Sequence, residues 1–202
     1  MINDYFDIIY CINLDKRFDK WKQCEVEFAK NNLTVTRIPG IVTPHHINIS
    51  PAEMGCNLSH ALCLQKMIEN NFKRALILED DVVFIQNGIH GVQKYWDNAM
   101  PDIPKEWNQL YLSGNHIARP QSINSSYISR IRGTLTTTSY GISLEHAKKM
   151  FPIIKRGEKQ VDVCYKDNQE DGCYAFTPGI TSQRPGYSDI QGKHVNYKLI
   201  IT

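Results

Sequence analysis

Residues 74–84 read Arg-Ala-Leu-Ile-Leu-Glu-Asp-Asp-Val-Val-Phe, and this stretch predicts both the fold and the position of a site. The apolar run 75–78 is typical of a buried strand, because it is too short for a helix and has no polar alternation. Three carboxylates, Glu79, Asp80 and Asp81, follow at once. Burying them together is costly, since each loses hydration and repels the others. A strand end that opens into a cleft holding a divalent cation resolves this conflict.

The order of the three acids predicts which of them meets a ligand. Ligands of open α/β sheets bind at the carboxyl ends of strands. Side chains alternate along a strand, so we expect Glu79 and Asp81 on one side and Asp80 on the other. Oxygen ligands of this kind suit Mn²⁺ or Mg²⁺. The alternative is a surface cluster that only caps a helix or ends a strand.

Composition limits the class of protein. The chain has 202 residues, 42% hydrophobic and 22% charged, which predicts one globular domain, residues 1–202. A formal net charge of +2 without a basic stripe disfavours nucleic acid as a partner. No segment has the length of a membrane span, and the N-terminus lacks the pattern of a signal peptide. We therefore expect a cytoplasmic protein without an integral membrane segment.

The six cysteines form no Cys-x-x-Cys pair. They lie at positions 11, 24, 56, 63, 164 and 173. We expect reduced, mostly buried thiols, and a disulfide or a zinc site is the alternative.

The first third of the chain predicts a strand, a helix and a second strand with a right-handed crossover. The strands are residues 5–14 and 33–38, and Asp15 is expected to cap the helix between them. A further helix is predicted from Ser50, which forms a capping box with Glu53. Gly55 in its first turn costs helix stability, so we expect a close neighbour that needs the space.

The remaining elements are predicted from hydrophobic periodicity and from Gly and Pro positions. They are a helix over residues 89–99, a strand over 109–113, strands over 127–132 and 134–142 that are antiparallel at a sheet edge, a helix over 145–151 ended by Pro152, a strand over 173–176, and a loop-like tail over 183–196. This order indicates an α/β fold that becomes richer in strands toward its C-terminus.

Several blocks, in order over most of the chain, resemble glycosyltransferase family 25, which includes galactosyltransferases of lipopolysaccharide biosynthesis and of collagen. They are Tyr-Cys-Ile-Asn-Leu-Asp-Lys-Arg at 10–17, Glu-Met-Gly-Cys-Asn-Leu-Ser-His at 53–60, residues 75–82, Ser-Tyr-Gly-Ile-Ser at 139–143 and Val-Asp at 161–162. The combination is specific, whereas any single block is weak. Glu79-Asp80-Asp81 resembles the family's Asp-x-Asp motif with Glu in the first place.

The resemblance implies a GT-A fold with a mixed, mostly parallel sheet flanked by helices. It also implies a UDP-sugar donor and a divalent metal, commonly Mn²⁺ with Mg²⁺ as the alternative. Residues 1–115 would be the nucleotide-binding half and residues 116–202 the acceptor-side half. The apolar end at 199–202 is compatible with further domains in a longer natural chain.

Candidate donor-binding residues follow from the same blocks. Asn13, Leu14 and Arg17 are expected near the uridine and diphosphate, although Arg17 could equally be a surface helix charge. Asp81 is the first candidate metal ligand. Glu79 is expected to bind the metal directly, act through water or hold the ribose, and Asp80 to support them.

A third metal ligand often comes from late in GT-A chains. His194 lies in the loop-like tail, where it is a candidate metal ligand, and neighbouring Lys193 is a candidate phosphate contact. An exposed loop histidine is the alternative for His194. His116 is expected nearer the sugar or acceptor, and His60 is interpreted as packing or donor support.

Inversion at the sugar requires a base to deprotonate the acceptor hydroxyl. Asp162 in the Val-Asp block is the first candidate, and Asp189 the second; a helix cap or an ion pair with Arg184 is the alternative. We expect a metal-dependent transferase that moves galactose or glucose from a UDP-sugar to a hydroxyl of a glycan or glycoprotein, with inversion. The alternatives are a catalytically weak UDP-sugar-binding module and a retaining UDP-glucose transferase.

Overall fold

The computed structural model describes residues 1–44, 47–85 and 91–196. The helices in these ranges are α1 (Ile2–Tyr5), α2 (Phe18–Lys30), α3 (Pro51–Glu69), α4 (Gly91–Ala99), α5 (Leu144–Arg156) and α6 (Val161–Asp167). A 3₁₀ turn, Met100–Asp102, follows α4.

The strands are mostly short. They are β1 (Ile8–Asn13), β2 (Thr36–Pro39), β3 (Arg74–Glu79), β4 (Val82–Phe84), β5 (Gln109–Tyr111), β6 (Asn115–His116), β7 (Gln121–Ser122), β8 (Ile128–Arg130), β9 (Thr134–Leu135), β10 (Ser139–Ser143), β11 (Cys173–Phe176), β12 (Thr181–Gln183), β13 (Gly186–Ser188) and β14 (Lys193–Val195). Eight of them form one sheet in the order β2-β1-β3-β10-β5-β11-β8-β7.

The main sheet is mixed, and most of its strands run in one direction. β1, β2 and β3 are parallel, and β10 is antiparallel to both of its neighbours, β3 and β5. β11 is parallel to β5, and β8 is antiparallel to β11 and β7. Only β10 and β8 therefore run against the other six of these strands. The predicted α/β class with a mixed, mostly parallel sheet is confirmed.

The sheet is covered on both faces, and β3 lies in its interior. Residues 75–78 are all 0% exposed. Leu76 and Leu78 belong to the apolar cluster that includes residues of α1, α2 and α4. Ala75 and Ile77 belong to the other cluster, with residues of α3, α5 and α6. Burial on both faces is why the strand reads as a continuous apolar run.

The position predicted for β10 is wrong. The alternation over residues 134–142 indicated an edge, but β10 lies between β3 and β5 in the middle of the sheet. Its polar Ser139 is buried because the hydroxyl is hydrogen-bonded to that of Thr181, with the two oxygens 2.5 Å apart. Gly141 is required by close packing, since a Cβ there would lie 2.8 Å from the ring of Phe6. The sequence of a central strand can resemble that of an edge strand when its polar side chains form hydrogen bonds inside the protein.

Three local predictions also differ from the structure. Asp15 does not cap α2, which begins at Phe18 after Arg17. Pro152 does not end α5, which continues to Arg156 and ends at left-handed Gly157. Burial of Met150 and Ile154 on either side of the proline offsets the lost backbone hydrogen bond.

The tail is not simply a loop. β12 pairs with β4, and β13 and β14 form a hairpin. These strands have three residues each, which is too short for a hydrophobic period to reveal them.

All six cysteines are free thiols; five are buried and Cys56 is partly exposed. The prediction of reduced, mostly buried cysteines agrees with this arrangement. None of the helices described is both long and apolar enough to cross a bilayer.

The predicted capping box at the start of α3 is confirmed. The Ser50 hydroxyl accepts from the Glu53 N–H, and the Glu53 carboxylate accepts from the Ser50 N–H. The close neighbour expected at Gly55 is the carbonyl oxygen of Ile41, which would lie 2.4 Å from an added Cβ. The loop after β2 therefore packs directly against this helix.

We expect Gly55→Ala to lower the free energy of unfolding by about 1 to 3 kcal/mol, the usual cost of overpacking. Urea denaturation measures this change. Gly186→Ala is the matched control, because no atom lies within 4 Å of an added Cβ there. An unchanged or higher stability of Gly55→Ala would contradict the close packing, since alanine is otherwise the better helix former.

Candidate active site

The three acids stand at the carboxyl end of β3 and line a cavity of about 970 Å³. β3 ends at Glu79, and Asp80 and Asp81 form the turn that leads into β4. The expected alternation of side chains therefore stops at Glu79, and Asp80 lines the cavity with the other two. We call residues 79–81 the acidic turn.

Asp80 is held by groups from β1 and α2. Its Oδ2 accepts from Asn13 Nδ2 at 2.7 Å, and its Oδ1 lies 3.1 Å from Lys20 Nζ. The Cys24 thiol donates to the Asp80 carbonyl oxygen at 3.2 Å. Burial raises the pKa of Asp80, although Lys20 and Asn13 act in the opposite direction. These contacts hold the turn in place, whereas the supporting role of Asp80 stays a prediction.

Glu79 is held by α3 and by the segment before β10. Its Oε1 lies 3.2 Å from His60 Nε2 and accepts from the Thr137 hydroxyl at 2.7 Å. Burial alone would raise the pKa of Glu79, but the contacts with His60 and Thr137 outweigh it and lower the pKa. These contacts favour the charged form of Glu79.

Asp81 is the acid whose charge is least compensated. Its Oδ2 accepts from Gln183 Nε2 at 2.9 Å, and Lys20 Nζ is 4.0 Å away. Its Oδ1 is buried and has no hydrogen-bond partner among the residues described. Burial and the charge of Glu79 raise the pKa of Asp81 to about 7. A hard divalent cation would satisfy this orphaned oxygen, so the donor set fits Mn²⁺ or Mg²⁺.

The three predicted donor-binding residues of the first block, Asn13, Leu14 and Arg17, differ in their positions relative to the cavity. Asn13 is 1% exposed and does not line the cavity; it donates to Asp80 and accepts from Arg37. Leu14 lines the cavity. Arg17 is not among the lining residues and instead bonds Asp19 and Asp189. Asn13 therefore acts on the site through the acidic turn.

The two candidate bases have opposite environments. Asp162 lines the cavity at the start of α6, and burial raises the pKa of its carboxyl, with Glu79 adding to the effect. Asp189 also lines the cavity but is ion-paired with Lys16 at 2.8 Å and with Arg17 at 2.6 Å. Although partial burial opposes the change, these two cations lower the pKa of Asp189. The alternative of an ion pair with Arg184 is wrong in its partner, because Asp189 pairs with Lys16 and Arg17.

The two tail residues predicted to reach the diphosphate are also separated. Lys193 on β14 lines the cavity. His194 is exposed, packs edge-on against Tyr187 with ring centroids 5.7 Å apart, and is not among the lining residues. Neighbouring side chains of a strand point to opposite sides, which explains the difference. The structure does not bring His194 to the acidic turn.

The model of the family described as "Glycosyltransferase family 25 (LPS biosynthesis protein)" matches residues 6–165. The chain belongs to glycosyltransferase family 25.

Family 25 relatives are distant and much longer. The chain is 24% identical to procollagen galactosyltransferase 2 of Mus musculus over 174 residues, which is 72% of this chain and 27% of the relative. It is 26% identical to a glycosyltransferase 25 family member of Aedes aegypti, over 70% of this chain and 27% of the relative. The chain thus spans about a quarter of the length of the curated relatives it matches. Among solved structures, A197 from STIV has a TM-score of 0.49 and 12% identity, with 95% of each chain covered.

Four of the five blocks that resemble family 25 contribute residues to the cavity, all except residues 139–143, and several cavity residues lie outside the predicted set. Lys20, Thr137 and Gln183 bond the acidic turn directly, and Lys16 bonds Asp189. Lys16 lies in the turn between β1 and α2, and Lys20 lies in the first turn of α2, so their place directly after a strand end was the signal available. The sequence does not mark Thr137 or Gln183 as site residues, because only the pairing of strands brings them near the acidic turn.

Asp81 should make an unfavourable contribution to the stability of the metal-free protein as pH rises from about 4 to 7. An unfolded aspartate has released its proton in this window, while folded Asp81 still holds one, so its contribution to the free energy of unfolding falls. The contribution is at most about 4 kcal/mol, or about 1.4 kcal/mol for each pKa unit. Urea denaturation in chelator at several pH values measures it. The free energy of unfolding should fall less, or rise more, with pH in Asp81→Asn, and parallel profiles of the two proteins would contradict the assignment.

Proposed function

We propose that this chain transfers a hexose from a UDP-sugar to a hydroxyl of a glycan or glycoprotein, with a divalent cation and with inversion. The observation that carries the proposal is the orphaned, buried Asp81 carboxylate oxygen at the end of β3, inside a cavity large enough for a nucleotide-sugar. Family membership supports the reaction class. Galactose is the first choice of sugar because relatives carry the name galactosyltransferase, and glucose is the second.

The acids and lysines of the cavity suit a nucleotide diphosphate bound with a metal. Asp81 and Glu79 would hold Mn²⁺, or Mg²⁺ as the alternative, since both offer hard carboxylate oxygens. Such a cation, when bound, stabilises the negative charge on the departing UDP as a Lewis acid. Lys16, Lys20 and Lys193 line the cavity and supply further positive charge for phosphate oxygens.

The Lys16–Arg17–Asp189 ion pairs close the β13–β14 hairpin against the start of α2. A diphosphate that used Lys16 would compete with the Asp189 carboxylate, because both are anions that bind the same ammonium group. The hairpin would then move or change partners when the donor enters. Asp189 is consequently better suited to holding the hairpin than to accepting a proton.

Asp162 is the proposed base. Its carboxylate lines the cavity, and the Val163 N–H donates to its Oδ1 at 2.8 Å, which orients the side chain. Partial burial makes it a stronger proton acceptor than an exposed aspartate. In an inverting transfer it would take the proton of the acceptor hydroxyl as the oxygen attacks the sugar.

Calorimetric titration of UDP, GDP and CMP, each with and without Mn²⁺, tests the donor proposal. We expect UDP to bind only with Mn²⁺, and Asp81→Ala to weaken that binding at least about tenfold, which is 1.4 kcal/mol. Asp171→Ala, which changes an exposed carboxylate away from this cavity, is the control and should bind as the wild type does. Equal affinities for UDP, GDP and CMP that do not change with Mn²⁺ would refute the proposal.

Asp162→Asn should abolish transfer while leaving UDP affinity nearly intact, since an amide keeps the shape but cannot accept the proton. The matched control is Asp167→Asn, which changes an exposed acid on the same helix. Transfer is measured with UDP-galactose and UDP-glucose, and donor hydrolysis is measured without acceptor. Retained transfer in Asp162→Asn would remove the residue from this role, and absence of both reactions in the wild type would favour a non-catalytic binding module.

A further inference from the structure

Three side chains of different chemistry meet on the floor of the cavity beside the acidic turn. Cys56 and His60 are four residues apart on α3, so they lie on one face of the helix. Glu79 approaches them from the end of β3. The thiol, imidazole and carboxylate ligand atoms all lie within 4.8 Å of one another, and all three residues line the cavity.

We propose that Cys56, His60 and Glu79 form a second cation site, which selects a thiophilic divalent ion such as Zn²⁺. We call it the Cys-His-Glu site. Sulfur and imidazole ligands favour Zn²⁺, whereas the carboxylates of the acidic turn favour Mn²⁺ or Mg²⁺. The two sites share Glu79 and differ in their remaining ligands.

The distances suit a small tetrahedral ion after a limited shift. Zn–N and Zn–O bonds are about 2.0 to 2.2 Å and Zn–S bonds about 2.3 Å, so neighbouring ligand atoms of a tetrahedral site are roughly 3.3 to 3.6 Å apart. His60 Nε2 and Glu79 Oε1 are already 3.2 Å apart. The Cys56 sulfur lies within 4.8 Å of both atoms and would have to move closer to complete the site. The fourth position would face the cavity, as in sites that keep a water or substrate oxygen.

The imidazole and the carboxylate are each oriented by a hydrogen bond with a residue that is not itself a ligand, as metal ligands usually are. His60 Nδ1 lies 2.9 Å from the Tyr140 hydroxyl, which is 3.1 Å from the Tyr165 hydroxyl. A metal on Nε2 requires the proton on Nδ1, and the Tyr140 oxygen can accept that hydrogen bond. The Thr137 hydroxyl holds the Glu79 oxygen in the same way.

Occupancy of the Cys-His-Glu site would draw Glu79 away from the hard cation. Zn²⁺ should therefore weaken Mn²⁺-dependent UDP binding, a consequence that rests on the proposed function. Formation of the site itself does not depend on any nucleotide.

Titration of the metal-free, reduced protein with Co²⁺ tests the site, because cobalt replaces zinc and absorbs light. We expect a thiolate-to-cobalt band in the near ultraviolet and the visible bands of a tetrahedral ion, both removed by added Zn²⁺. Cys56→Ala should lose the thiolate band and bind Co²⁺ at least about tenfold more weakly. Cys63→Ala, a buried cysteine on the same helix, is the matched control and should keep the band.

Two further variants separate this site from the acidic turn. Asp81→Asn should keep the thiolate band, because Asp81 is not one of the three ligands. Tyr140→Phe keeps the ring and should weaken Co²⁺ binding about 10-fold or more by releasing His60. No thiolate band in the wild type, or a band that persists in Cys56→Ala, would overturn the proposal. Since the spectra use no UDP, this failure is distinguishable from failure of the proposed transfer reaction.

Discussion

Burial of three adjacent carboxylates at the end of β3 is the constraint on which the site depends. Each acid is stabilised by its own set of side chains: Asp80 by Asn13 and Lys20, Glu79 by His60 and Thr137, and Asp81 by a hydrogen bond from Gln183 with Lys20 4.0 Å away. Asp81 Oδ1 is buried and has no hydrogen-bond partner in the part of the chain described, so it is the oxygen that the proposed cation would bind.

The arrangement also separates supporting residues from residues that can meet a ligand. Asn13 and Cys24 hold the acidic turn from the sheet side and lie in the interior, whereas Lys16, Lys193 and Asp162 line the cavity. Elements far apart in the chain, α2, α6 and the β13–β14 hairpin, thus meet around the end of one strand. This is the usual location of ligand sites in open α/β sheets.

Much of the fold was predictable because local signals agreed with the final structure. The apolar run of β3, the Ser50–Glu53 capping box and the space required at Gly55 are each specified within a few residues. Predictions were wrong where distant partners overruled the local pattern. Buried hydroxyl pairs allow β10 to be central, and packing of Met150 and Ile154 carries α5 past Pro152.

The sequence by itself determined the chemical identity of the site: adjacent acids after a buried strand, and the blocks that mark family 25. Only the tertiary structure decided which acid has an oxygen without a hydrogen-bond partner among the described residues, that Asp189 is held by Lys16 and Arg17, and that His194 points away while Cys56 and His60 approach Glu79. The physical reason is that strand and helix periods specify which face a residue occupies, whereas the charge and hydrogen-bond partners of a buried group come from segments whose approach depends on the packing of the whole sheet.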